Sequence, residues 1–454
     1  MTRREILKLL AAYGFVSLTP LEATALGGKR VVIVGAGTAG LLCLSLLKKL
    51  SSSLSITVIA PNQHHIYQAG QTFMAAGLMN EKEMTQPTKK FLAGTHWVKQ
   101  GVKNFEPEKS TVVCEDGQRV GYDYLIVATG LRYNYEGIKG LSEKVLGSKG
   151  IASVYLNNLR EGSVKGGHDT KVWFEKIRQA ASKQKVKVLF CNPHGAIKCG
   201  GVSSSIIYLL MDYLKGNSPS QGDDVTSNVE VIFTKPGTRI FGVDEYNKVL
   251  VETSKAYGVK TKFNHVIHSI DIHRKVAYFE HTYQAKGAYD EDFDEYEMIT
   301  KKDEVQMAYD FIHIVPPMQA VKALSRSTLA KQSGLQVGYC EVDSKSLQHK
   351  RYNNVFALGD CAAVPLGKTA AAAKYQAKVL INNLMAQMKE GVKASFDGYS
   401  ACPIKLGYQK VLFAEFDYEG YTHKEIENPQ EPRESLFKYD LQTLPKLYWQ
   451  TLQG

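Results

Sequence analysis

The chain has 454 residues, 44% hydrophobic and 22% charged, which suits two or three packed domains and excludes a disordered or collagen-like polypeptide. Lysine and arginine outnumber aspartate and glutamate by 56 to 45, and the net charge of +11 favours an anionic partner. No basic block carries interleaved aromatics and no two cysteines have C-x2-C spacing, so neither a nucleic-acid partner nor a bound metal is expected. No unbroken apolar run reaches the about 18 residues of a bilayer span. The 7 cysteines are scattered and odd in number, which is not the pattern of a disulfide framework.

The amino terminus pairs Arg3 with Arg4, continues into the apolar stretch Leu9–Leu21, and then offers Ala23 and Ala25 around Thr24. This resembles a twin-arginine export signal with a small-x-small cleavage site. Residues 1–28 are therefore expected to be a leader or extension, and the mature chain to lie at the periplasmic face. A short amphipathic helix is the competing reading.

Lys29–Val34 is a β-branched run of the kind buried in parallel sheets. It feeds directly into Gly35-Ala36-Gly37-Thr38-Ala39-Gly40 and a helical pattern from Leu41 to Leu47, the strand–turn–helix context that gives G-x-G-x-x-G its meaning. Gly35 permits the tight turn, Gly37 admits a pyrophosphate, and Gly40 lets the helix pack on the strand. The next strand, Ser55–Ile59, ends at Ala60 where an acid for the ribose is expected, leaving Asn62 or backbone groups for that task. Two later strands select the cofactor: one ends in Ala128-Thr129-Gly130, and the other in Gly359-Asp360. In this order they indicate FAD, held without a covalent bond. A second strand of the same apolar type, Lys185–Phe190, is followed by Cys191 to Gly201 with no glycine fingerprint, so no nicotinamide site is expected.

That central segment offers cysteine instead. Cys199 precedes a helical run from Val202 to Lys215, whose dipole, with Lys198 beside it, is expected to lower the thiol pKa. Cys361 follows Asp360 directly, ahead of a helix that begins near Lys368 and Thr369. Cys199 and Cys361 are the predicted redox pair. His194 reads as a loop residue rather than a proton shuttle, Cys43 as core, and Cys114, Cys191, Cys340 and Cys402 have no predicted role. The acidic run Asp290–Glu297 reads as a solvated hairpin tip.

With Ile197–Gly201, Val315–Met318, Gly359–Cys361, Lys368–Ala372, Tyr399–Pro403 and Phe413–Tyr418 in view, the chain resembles the type II class of sulfide:quinone oxidoreductases from about Lys29 to Trp449. The resemblance implies an α/β fold of two Rossmann-like domains: an FAD domain of 29–165 and 309–390, a second domain of 166–308 without a nucleotide fingerprint, and a quinone- and membrane-facing region of 391–454. It implies FAD contacts at Gly35, Ala36, Gly37, Ala39, Gly40, Gln68, Val102, Thr129, Gly130, Gly359, Asp360, Lys368 and Thr369. It also implies hydrogen sulfide and quinone as substrates, peripheral membrane association, Cys199 and Cys361 as catalytic, and Lys198, Tyr408 and Phe413 at substrate or quinone. Ala60, the acidic run and the short carboxy terminus depart from the family pattern. A flavocytochrome c sulfide dehydrogenase subunit would tether FAD through a cysteine within His64–Phe73, where there is none, and a type II NADH dehydrogenase would need the missing central fingerprint. The sulfur acceptor and the oligomeric state stay open.

Overall fold

The computed structural model describes residues 28–50, 53–157, 161–220, 222–290, 295–389 and 391–453. Apart from Gly28, the expected leader lies outside the described residues.

Arg30–Val34 is the central strand of a five-stranded parallel sheet. The order is Val355–Ala357, Tyr124–Val127, Arg30–Val34, Ser55–Ile59, His96–Val98. Val31, Val32 and Ile33 are all buried, as an unbroken apolar run must be when both faces of its sheet are covered. The helices Thr38–Leu50 and Ala370–Lys389 pack against each other on this sheet.

A second parallel sheet runs Ile151–Ala152, Phe311–Ile314, Val186–Cys191, Val229–Thr234, Lys260–Lys262. Two of its strands come from segments expected to belong to the FAD domain, so the domain exchange points lie before Ile151 and after Ile314 rather than at 165 and 309. The reason is pairing: Phe311–Ile314 bonds to Val188–Cys191, a register that sequence periodicity does not contain. A long hairpin, Val276–Asp290 against Glu295–Ala308, projects from this half with Asp290 opposite Glu295. Residues 291–294, the middle of the acidic run, lie outside the described residues.

The carboxy-terminal region is not a separate layer. Its strands Ser400–Lys405 and Val411–Asp417 form a wedge whose alternate residues serve two cores. Ala401 and Phe413 pack into the core of the first sheet, while Cys402, Ile404, Leu412 and Ala414 pack into that of the second. The terminal helix Leu444–Gln453 returns to the first domain and buries Tyr448, Trp449 and Leu452 there. Among the described residues no helix is long and apolar enough to cross a membrane.

Candidate functional site

Three predicted FAD segments meet at the carboxyl ends of adjacent parallel strands, the crevice where doubly wound sheets bind ligands. Their contacts explain the glycines. A Cβ on Gly35, whose φ is +111°, would lie 2.2 Å from the Ala128 carbonyl oxygen, and one on Gly40 would lie 1.9 Å from that of Gly35. A Cβ on Gly359 would lie 2.9 Å from the Ala39 methyl. Gly37 differs, because a Cβ there would meet nothing within 4 Å, and that open side faces the start of the Thr38–Leu50 helix, whose first turn carries no acid. This is the cradle an anionic pyrophosphate needs.

Further groups converge on the same crevice. The Lys368 ammonium donates to the carbonyls of Asp360 at 2.7 Å and Ala362 at 3.2 Å, and lies 4.1 Å from the Tyr339 ring centre. Thr369 caps the Ala370–Lys389 helix by accepting from the Ala372 N–H and bonds Ser400, so it acts as a structural cap. Gln376 accepts the Gly359 N–H at 2.7 Å while its amide nitrogen is buried without a partner, as is the Tyr67 hydroxyl. Unpaired buried polar atoms beside an open glycine turn fit a polar cofactor such as FAD. Gln68 accepts from the Lys198 ammonium, and Val102 is half-buried at the start of the strand Val102–Glu106. At the expected ribose position Ala60 is buried, and its carbonyl accepts the Trp97 indole N–H.

Cys199 lies in the loop before the helix Val202–Leu214, in the left-handed region with φ +50°, a strained placement for a side-chain-bearing residue. Its N–H donates to the Lys368 carbonyl at 3.0 Å, which joins the cysteine loop to the FAD domain. The expected lowering of its pKa is not what the structure produces. Burial pushes the thiol up to about 12, with Cys402 adding to the rise and Lys198 and Lys405 opposing it. The helix dipole and the two neighbouring cations are outweighed by loss of water around the sulfur.

Cys361 corrects the predicted pair. Its side chain is fully buried and its thiol donates to the carbonyls of Val127 and Leu358, both at 3.3 Å, inside the first domain's core. It braces the strand ends under the flavin turn rather than facing Cys199. The thiol that does bear on Cys199 is Cys402. The Gly201 N–H donates to the Cys402 sulfur, and a Cβ on Gly201 would lie 3.1 Å from that sulfur and 2.5 Å from Ile404 Cγ1. Gly201 is two residues from Cys199, so the absence of a side chain there is what lets the two cysteine-bearing segments close on each other. Cys402 had no predicted role although it lies within Tyr399–Pro403: along the chain it is one more residue of an alternating strand, and only the packing of that strand on the Val202–Leu214 helix singles it out.

The remaining predicted residues are placed as follows. Lys198 sits in the site, 5.0 Å from the Tyr133 ring centre and within the field of Asp360. Tyr408 is held away from it: its hydroxyl donates to the Ala76 carbonyl and its N–H to Asp212, in the second domain's core. Phe413 is buried, with its ring centre 6.4 Å from that of Tyr439. Phe413 thus fills a core position, while Tyr408 is half-buried against the second core. His194 is exposed in its loop. Among the described residues no group of histidine, cysteine or carboxylate side chains could hold a metal.

The chain is similar to several known proteins. Residues 29–166 match the family model of pyridine nucleotide-disulphide oxidoreductases. The mitochondrial sulfide:quinone oxidoreductase of Dictyostelium discoideum is 33% identical over 427 residues, covering 93% of this chain and 85% of that protein. The mitochondrial sulfide:quinone oxidoreductase of Mus musculus is 28% identical, covering 94% and 86%. The crystal structure of the Aquifex aeolicus sulfide:quinone oxidoreductase shares the fold with a TM-score of 0.72 at 16% identity, covering 94% of this chain and 92% of that one.

Proposed function

The chain belongs to the sulfide:quinone oxidoreductase family, and from that premise we propose that Cys199 and Cys402 are its redox pair, working beside FAD. The enzyme is an FAD-dependent oxidoreductase that oxidises sulfide and reduces a quinone. The overall reaction balances as HS⁻ + quinone + H⁺ → sulfane sulfur + quinol.

Bound FAD supplies the two-electron relay between sulfur and quinone, held by the Gly35–Gly40 turn, Thr129, Gly130, Asp360 and Lys368. The protein's own task is sulfur handling. A thiol that burial raises to about 12 is a poor free nucleophile at neutral pH, which supports a bridged resting state with HS⁻ as the attacking species. Attack on the Cys402 sulfur forms one S–S bond and breaks the bridge, leaving a persulfide on Cys402 and a thiolate on Cys199. Lys198 and Lys405 both favour that thiolate.

The observation that carries the reading is the closure of the Cys402 strand on Gly201. Anaerobic mixing with sulfide, followed by flavin bleaching, tests it. Cys199→Ser and Cys402→Ser are expected to abolish bleaching, while Cys361→Ser retains it. Bleaching in Cys402→Ser with loss in Cys361→Ser would reverse the assignment.

The finer placement is also a proposal: a peripheral enzyme at the membrane, exported by the twin-arginine route and facing the periplasm. Arg3, Arg4 and the Ala23-Thr24-Ala25 site support export. Amino-terminal sequencing of natively produced protein tests it, and a retained Met1 would refute it.

A further inference from the structure

Three of the large apolar side chains exposed among the described residues gather in one place. Leu335 is 86% exposed, Val337 55% and Leu366 38%. Leu335 and Val337 sit at the tip of a turn closed by Lys331 N–H to the Tyr339 carbonyl at 2.8 Å and Gly338 N–H to the Lys331 carbonyl at 2.9 Å. Between them Gln336, with φ +62°, turns inward and donates its side-chain amide to the Val364 carbonyl at 2.6 Å. That bond clamps the tip to the neighbouring loop, where Leu366 is exposed two residues on. Its two flanking neighbours are left pointing outward without a partner.

Cations border the tip along the chain. Residues 321–338 contain Lys322, Arg326 and Lys331 and no aspartate or glutamate. Lys322 and Arg326 are exposed, and the helix Lys322–Ser325 borders the tip, since a Cβ on Gly338 would lie 3.2 Å from that of Ser325. The base of the turn reaches the functional site: Tyr339 is buried under the Lys368 ammonium, and the Lys368 carbonyl accepts the Cys199 N–H.

We propose that Leu335, Val337 and Leu366, with Lys322, Arg326 and Lys331 around them, are the surface on which the enzyme rests against an anionic lipid bilayer. The proposal rests on the quinone-reducing function, because a lipophilic acceptor has to be met at a membrane. A few aliphatic tips framed by cations match the boundary between acyl chains and headgroups. The apolar residues of the terminal helix do not compete for the role, since Tyr448, Trp449 and Leu452 are buried in the first domain. Cations over an anionic leaflet add to the affinity, and salt screens them.

Co-sedimentation of the holoenzyme with phosphatidylcholine–phosphatidylglycerol vesicles tests the proposal. Leu335→Asp with Val337→Asp is expected to lower vesicle partition at least about tenfold. Reversal of Lys322, Arg326 and Lys331 to glutamate is expected to remove the salt-sensitive part of binding. Turnover with a soluble short-chain quinone stays at the wild-type level in the aspartate variant, while turnover with a long-chain quinone held in the vesicles falls with binding. Wild-type vesicle partition of the aspartate variant would overturn the proposal. Failure of the wild-type enzyme to turn over sulfide with either quinone would instead overturn the functional reading and leave the vesicle result standing.

Discussion

Lys405 and Asp440 form an ion pair 2.9 Å long in which both side chains are almost wholly withdrawn from solvent. Lys405 ends the strand that carries Cys402, and its ammonium also lies 4.5 Å from the Phe73 ring centre. Asp440 sits in a π-helical turn, Tyr439–Thr443, that joins the helices Glu434–Lys438 and Leu444–Gln453. Such turns insert a residue into a helix and often re-aim a side chain at a functional site. Removing one partner strands the other charge in the interior. Lys405→Met is therefore expected to cost about 3 kcal/mol in urea unfolding, and the double change Lys405→Met with Asp440→Leu to recover most of it. Lys405 also favours the ionised form of both Cys199 and Cys402. Alkylation of the reduced Lys405→Met protein by iodoacetamide should be slower at a given pH, with its midpoint moved upward.

Tyr448 ties the terminal helix to the cofactor turn. Its hydroxyl lies 2.5 Å from His65 Nε2 and 2.7 Å from Thr38 Oγ1, and His65 Nδ1 lies 3.2 Å from the Ala36 carbonyl. Burial lowers the His65 pKa to about 4, so the ring is neutral at pH 7. A carbonyl only accepts, which makes Nδ1 the donor and Nε2 the acceptor; Tyr448 then donates to His65 and receives from Thr38. Tyr448→Phe is expected to cost about 1–2 kcal/mol of stability and to speed FAD release, measured by fluorescence of the freed flavin.

Glu415 is buried in the wedge, where it accepts from the Tyr399 hydroxyl and from the N–H groups of Glu425 and Ile426. Burial dominates over these bonds and raises its pKa to about 7. The folded protein therefore holds this proton more tightly than the unfolded chain. Its contribution to stability is full below the ordinary glutamate pKa and falls as pH rises toward about 7, by on the order of 3 kcal/mol. Denaturation midpoints across that window should decline in the wild type, and the Glu415→Gln variant should lose this component of the slope.

Gly201→Ala tests the closure of the cysteine segments. The added methyl would lie 2.5 Å from Ile404 and 3.1 Å from Cys402, so the strand must retreat from the Val202–Leu214 helix. Overpacking of this kind costs about 1–3 kcal/mol. Sulfide-dependent flavin bleaching is expected to slow far more than unfolding measurements alone would suggest, because sulfur transfer depends on the spacing of two atoms.

Much of the first domain could be read along the chain. The strands Arg30–Val34 and Ser55–Ile59, the glycine turn and the Thr38–Leu50 helix are local features, each carried by a run of residue types whose backbone preferences and burial agree. Gly35 and Gly40 could be named because the van der Waals limits they obey lie within one strand–turn–helix unit or its immediate neighbour.

The cysteine pair was not legible in that way. Adjacency to a flavin-binding aspartate favoured Cys361, but adjacency says nothing about the direction of a side chain, and the backbone turns this one toward Val127 and Leu358. Cys402 reaches the Cys199 segment because a strand from the far end of the chain alternates its side chains between two cores and because Gly201 leaves room for it. The thiol pKa changed direction for a similar reason: the helix dipole is a local property, whereas the water excluded around Cys199 depends on everything packed over it. The sequence by itself determined the cofactor turn and the chemistry available, because those rest on short-range sterics and residue type. Which two thiols share a site was decided only by tertiary structure, because long-range packing sets side-chain direction and desolvation.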